Sequence, residues 1–90
     1  MAVKLLEVTI PGCVACARFK KMWEEKMSKD FPDVEFTTID ATEPGGQEVL
    51  MEHTIFATPG ILINGELFSS RPVNEKKLRA KLEELTSANN

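Results

Sequence analysis

The sequence predicts an α/β fold of element order β-α-β-α-β-β-α, a four-stranded mixed sheet flanked by three helices. Three observations predict it. Apolar or β-branched runs at 3–10, 34–40 and 60–63 alternate with segments of helical period. An Asn64-Gly65 pair stands between two short runs, and it is the strongest local hairpin signal, because a type I′ turn needs positive φ at both central positions. Strands joined through a helix run parallel by a right-handed crossover, so the first two strands should be parallel and the hairpin pair antiparallel.

The elements follow in order. Val3 to Ile10 is apolar on both alternating faces except at Lys4, Glu7 and Thr9, as expected of a central strand covered on both sides. Pro11-Gly12 ends it. From Cys13 a helical pattern takes over, with Cys16, Phe19, Trp23 and Met27 as its apolar stripe. Trp23 therefore reads as a core residue. The pattern fades from Ser28 into the turn residues Asp30-Phe31-Pro32-Asp33. Val34 to Asp40 is rich in β-branched and aromatic residues and reads as the second strand. Glu43-Pro44 opens a helix, since proline's missing N–H is not needed at the first helical position. Gly45-Gly46 weakens that first turn, and the helix should end near His53 or Thr54.

Thr58-Pro59 precedes the strand Gly60 to Ile63, and after Asn64-Gly65 the partner strand runs from Glu66 to Ser70. Pro72-Val73-Asn74 starts the last helix, with Asn74 as N-cap and Val73 stapled to Leu78. Leu78, Leu82 and Leu85 form its buried stripe. Residues 1–87 read as a single domain and Ala88-Asn89-Asn90 as a loose tail.

Composition excludes several classes. Ninety residues, 42 % hydrophobic and 28 % charged, suit one soluble domain with a single core. A net charge of −3 with scattered basic residues carries no nucleic-acid footprint. No apolar run is long enough for a bilayer, and the N-terminus lacks a signal-peptide pattern. The default reading is a cytoplasmic monomer. In a reducing compartment a disulfide is catalytic or redox-sensing more often than structural.

The chain has two cysteines, Cys13 and Cys16. A pair at that spacing can close into a disulfide within one helical turn and so store two electrons. Thiolate is the attacking species, and a helix N-terminus favours it because backbone N–H groups point at the sulfur. Cys13, at the exposed start of the helix, is assigned the nucleophile. Cys16, on the stripe with Phe19 and Trp23, is assigned the resolving role. Inert core thiols and half of a zinc site are the bland alternatives. Tetrahedral zinc wants four ligands, whereas two Cys and one His are all the chain offers, so no metal is expected. His53 is expected to decorate a helix end, and Arg71 to be a surface residue.

Strand, then Cys13-Val14-Ala15-Cys16 opening a helix, then Thr58-Pro59 before an apolar strand, then Asn64-Gly65-Glu66 and a C-terminal helix, resembles the thioredoxin superfamily over nearly the whole chain. The likeness is closest to the glutaredoxins and the small glutaredoxin-like thioredoxins of microbes. It implies a thioredoxin-like fold and a thiol-disulfide oxidoreductase with a redox-active Cys13–Cys16 disulfide. It also implies a cis Thr58-Pro59 bond beside the cysteines, leaving the Thr58 backbone to pair with an extended substrate. Glu7, six residues before Cys13, matches a buried acid that the family uses as proton acceptor for the resolving cysteine; the alternative is a half-exposed glutamate paired with a lysine. The implied partners are disulfide-containing proteins as substrates, and a thioredoxin-reductase-like flavoenzyme or glutathione as electron donor. No tightly bound cofactor is implied.

Two stretches depart from the family. Val14-Ala15 stand where thioredoxins have Gly-Pro and glutaredoxins Pro-Tyr. Ser69-Ser70-Arg71 replace the Gly-Gly followed by an acid or cysteine with which glutaredoxins hold glutathione, which argues against a glutathione site. Beside the protein-disulfide reductase stand two further readings: a glutathione-coupled glutaredoxin, and a non-catalytic redox-sensing or partner-binding module, with metal handling by the dithiol a more distant one.

Overall fold

A computed structural model describes residues 3–87; the expected tail at 88–90 lies outside them. The strands are β1 (Val3–Thr9), β2 (Val34–Asp40), β3 (Gly60–Ile63) and β4 (Glu66–Ser69). They form one sheet of order β2-β1-β3-β4. β1 pairs with β2 in parallel from Val3↔Val34 to Thr9↔Asp40, and with β3 antiparallel from Leu5↔Ile63 to Val8↔Gly60. β4 closes the hairpin antiparallel to β3. The turn is as the dipeptide demands, with φ of 51° at Asn64 and 83° at Gly65. Asn64 also extends the pairing of β1: its N–H donates to the Lys4 carbonyl, and its side-chain Oδ1 accepts from the Lys4 N–H at 2.9 Å.

Three helices cover the sheet. α1 spans 14–30 as an α-helical segment Val14–Met22, a π-helical turn Trp23–Met27 and a last α turn Ser28–Asp30. α2 is Pro44–Glu52 and α3 is Glu75–Ser87. The π turn was not legible as such in the sequence, but it has a physical reason. Trp23, Met27 and Phe31 follow one another at intervals of four and all three are buried. In a regular α-helix, residues four apart drift about 40° around the axis; a wider turn keeps them on one line facing the sheet. The helix consequently persists to Asp30 rather than fading at Ser28.

The alternation of β1 divides the interior. Val3 and Leu5 join Phe19, Trp23, Met27, Phe31, Ile61, Ile63, Leu78 and Leu82 on one side. Val8 joins Ala41, Ile55 and Leu62 on the other, with Leu6, Ile39, Val49 and Leu50 against them. So α1 and α3 cover one face and α2 the other. Trp23 stacks on Phe36 at 5.5 Å, which fits the core role read for it. The α3 cap is as expected, Asn74 Oδ1 accepting from the Lys77 N–H at 3.1 Å.

Gly46 has a reason that composition hides. It is buried, and a Cβ there would collide with the Asp40 carbonyl at the end of β2. The residue that weakens the first turn of α2 is thus what lets that turn lie against the sheet. At the far end of the molecule, Arg79 on α3 binds Asp30 at 2.7 Å and Glu75 at 3.1 Å, tying the end of α1 to α3.

Candidate functional site

The handover from β1 to α1 builds the site. Pro11 and Gly12 turn the chain, with Gly12 at φ 79°, a conformation that glycine adopts without strain. Cys13 then occupies the N-cap of α1 in extended geometry. Its sulfur accepts from the Cys16 N–H at 3.1 Å. The two cysteines are joined by a disulfide, their Cα atoms 5.3 Å apart. Cys16 is 4 % exposed, whereas Cys13 is half-buried rather than fully open as the sequence suggested. The asymmetry between the two remains: the capping sulfur is the reachable one.

Thr58-Pro59 comes to this point from 45 residues away in the chain. The peptide bond between them is cis, Pro59 is fully buried, and the Thr58 hydroxyl donates to Cys13 Sγ at 3.5 Å. The Thr58 N–H and C=O pair with no backbone group among the described residues, since the β3 ladder begins only at Gly60. Of the two readings of Glu7, the structure has the buried one. Its side chain is 0 % exposed, and neither carboxylate oxygen has a hydrogen-bond partner among the described residues. Burial pushes the carboxyl up from 4.5 to about 7, with the Lys20 ammonium pulling it down. A carboxyl so placed exchanges its proton near neutrality.

A groove of about 470 Å³ runs beside the disulfide, walled by Glu7, Cys13, Cys16, Lys20 and Thr38 among others. Lys20 was not singled out in the sequence. Its spacing of four from Cys16 was the signal that could have found it, because residues four apart share a helix face. Phe56, 91 % exposed three residues before Pro59, was missed altogether. Arg71 is exposed as expected, and half-buried His53 caps the C-terminus of α2. Among the described residues no three His, Cys, Asp or Glu side chains are grouped to hold a metal ion. No helix there is long and apolar enough to cross a membrane.

This arrangement is a two-electron thiol–disulfide couple at a helix N-terminus. The comparisons with known proteins agree with it. Residues 1–86 match the family model described as a thioredoxin domain. Among solved structures, mitochondrial thioredoxin 3 of Saccharomyces cerevisiae in its oxidized form superposes with a TM-score of 0.72 at 19 % identity, over 91 % of this chain and 77 % of that one. Fasciola hepatica thioredoxin gives 0.72 at 21 %, over 92 % and 80 %. Oxidized thioredoxin O1 of Arabidopsis thaliana gives 0.68 at 23 %, over 92 % and 77 %. Among curated protein sequences none matches significantly. With the Cys13–Cys16 couple set into this fold and the family model spanning nearly all of the sequence, the chain belongs to the thioredoxin-domain family.

Proposed function

We propose that this protein reduces disulfides in other proteins, acting as a monomer in a reducing compartment. The observation that carries the reading is the asymmetric couple itself, one sulfur reachable at the helix cap and the other buried behind it beside an unpartnered carboxyl. In the reduced state the Cys13 thiolate attacks a substrate disulfide. A Cys13–substrate S–S bond forms, and the first substrate thiolate leaves. Glu7, as carboxylate, takes the proton of Cys16. The Cys16 thiolate then attacks Cys13 Sγ, closes the Cys13–Cys16 bond and expels the second substrate thiolate, which takes up a proton. Two electrons have passed to the substrate and the couple is oxidised.

Thr58 contributes in two ways under this reading. Its hydroxyl stabilises charge on Cys13 Sγ, and its free N–H and C=O receive an extended stretch of substrate backbone, as in strand addition. Pro59 holds that residue in place. Electrons return from a thioredoxin-reductase-like flavoenzyme, in preference to glutathione. Supporting that preference, Ser69-Ser70-Arg71 follow the hairpin instead of a glutathione-holding Gly-Gly. The test is turnover of insulin disulfides with a dithiol reductant, where wild type should be active and Cys13→Ser inactive. A protein that cycles between redox states without turning over any disulfide would be a sensor instead. Running NADPH with thioredoxin reductase against NADPH with glutathione and its reductase decides the donor.

A further inference from the structure

The end of β4 meets the start of α3 around a cavity of about 430 Å³, walled by Leu67, Phe68, Ser70, Arg71, Pro72 and Lys77 among others. It shares no residue with the groove beside the disulfide. β4 is an edge of the sheet, so no further strand among the described residues lies over this corner.

The charge of the cavity is of one sign. Its walls include two cations, Arg71 and Lys77, and no carboxylate. Among the described residues neither cationic side chain has an ion-pair or hydrogen-bond partner, and the Ser70 hydroxyl has none either. Glu75, which lies between the two cations in the chain, is engaged elsewhere, with Arg79 at 3.1 Å and Lys26 at 3.9 Å. Arg79, which ties α1 to α3, has two carboxylates; Arg71 and Lys77 have none. The N-terminal end of α3 adds its positive dipole on the same side.

The backbone that carries these groups is fixed. Ser69 Oγ donates to the Arg71 carbonyl at 3.1 Å and accepts from the Arg71 N–H at 3.4 Å. Asn74 Oδ1 accepts from the Lys77 N–H. Only the two long side chains have to settle on a ligand, which limits the entropy lost on binding. The remaining walls are apolar: Leu67 is exposed, Phe68 rests against the core, and Pro72 stands beside them.

We propose that this cavity binds a small organic phosphate monoester. Two monovalent cations match a phosphate monoester, with its charge of about −1.5 to −2 at pH 7, better than they match a single carboxylate. The Arg71 guanidinium offers a planar fork to a pair of phosphate oxygens, and the Lys77 ammonium a point charge to a third. The Ser70 hydroxyl supplies a further donor. The volume falls within the range of small-ligand sites, roughly 300–1,000 Å³. Inorganic phosphate alone would leave the walls formed by Leu67, Phe68 and Pro72 uncovered, so the body of the ester is apolar or planar. This site stands independently of the reductase reading.

Amide NMR of the isotope-labelled protein, titrated at fixed ionic strength with phenyl phosphate, inorganic phosphate, benzoate and glutathione, tests the assignment. Phenyl phosphate should shift the resonances of 67–77 and bind about tenfold more tightly than any of the other three. Arg71→Gln and Lys77→Gln should each weaken it about tenfold. Lys76→Gln, which removes the same charge from an exposed neighbour outside the cavity walls, should leave it unchanged. Leu67→Ser should weaken phenyl phosphate and leave inorganic phosphate as it was. The amide spectrum of each variant reports whether it has kept its fold. Equal affinity for phenyl phosphate and benzoate, or a Lys76→Gln effect as large as that of Lys77→Gln, would reduce the binding to general attraction of anions and overturn the proposal. Tighter binding of glutathione, shifts spread over the cations of α1 and β1, or no saturable shift at all would do the same. A phosphotyrosine peptide that bound more tightly than phenyl phosphate would make the ligand a polypeptide and overturn the small-molecule assignment.

Discussion

The hydroxyl of Thr58 stands 3.5 Å from the sulfur of Cys13, across 45 residues of chain. β3 carries Thr58 to the start of α1 because β3 pairs antiparallel with β1, Gly60 opposite Val8. The contact makes Cys13 the sulfur that the rest of the molecule attends to, and Cys16 the one it covers.

That hydroxyl should stabilise the Cys13 thiolate once the disulfide is reduced. Hydrogen bonds to charged groups contribute about 1.5–3 kcal/mol, so Thr58→Val should raise the Cys13 thiol pKa by about one to two units. Ultraviolet absorbance of the thiolate against pH measures it. An unchanged titration would remove Thr58 from the account of reactivity.

Glu7→Gln should slow disulfide reduction at neutral pH and flatten the pH–rate profile, because the amide cannot accept a proton from Cys16. Rates identical to wild type from pH 6 to 9 would exclude Glu7 as the base.

The same carboxyl links stability to pH. Its folded value of about 7 lies above the unfolded value near 4.5, so the folded chain holds the extra proton between them. Stability is therefore complete below about 4.5, is lost as pH rises through 7, and is level above. The shift corresponds to roughly 3 kcal/mol. Denaturant titrations of wild type should show that decline, and those of Glu7→Gln should lack it. Parallel pH dependences in the two proteins would contradict the burial argument.

Lys20 supplies the opposing charge in the groove. Lys20→Met should push the Glu7 carboxyl above its wild-type value and carry the pH–rate profile upward with it, whereas Lys20→Arg should not. Carbon NMR of the Glu7 carboxyl reads the first effect directly. In a Glu7→Gln background, where no carboxyl is left to respond, the Lys20 substitution should leave the pH–rate profile unchanged.

Packing of α3 is the most ordinary expectation. Leu78 is fully buried against β1 and α1 residues, and Leu78→Ala should cost about 2–5 kcal/mol. Asn74→Ala, which removes the cap on the Lys77 N–H, should cost about 1 kcal/mol. The reverse order, measured by chemical denaturation, would mean that α3 is held by its cap and not by its apolar stripe.

Much of this was legible in the chain because the signals are local. β2 and β3 begin and end where β-branched runs meet turn residues, and Asn64-Gly65 set the hairpin. The alternation of β1 put Glu7 on the same face as Val3 and Leu5, hence under α1. The π turn was not legible, because four-residue spacing of Trp23, Met27 and Phe31 reads as helix in any winding. Gly46 looked like a weak helix start, since a close approach to the Asp40 carbonyl is a tertiary fact. Phe56 was not singled out at all; its exposure comes just after the turn at Thr54, which no periodicity announces. The groove beside Cys16 needed the parallel register of β1 and β2, which brings Thr38 opposite Glu7.

The division of labour between the cysteines is tested most directly by trapping. A Cys16→Ser protein, reduced and mixed with an oxidised protein substrate, should accumulate a stable mixed disulfide mapped by mass spectrometry to Cys13. A Cys13→Ser protein should accumulate none. An adduct of equal yield on Cys16 in the Cys13→Ser protein would show that either sulfur can attack, and would contradict the account.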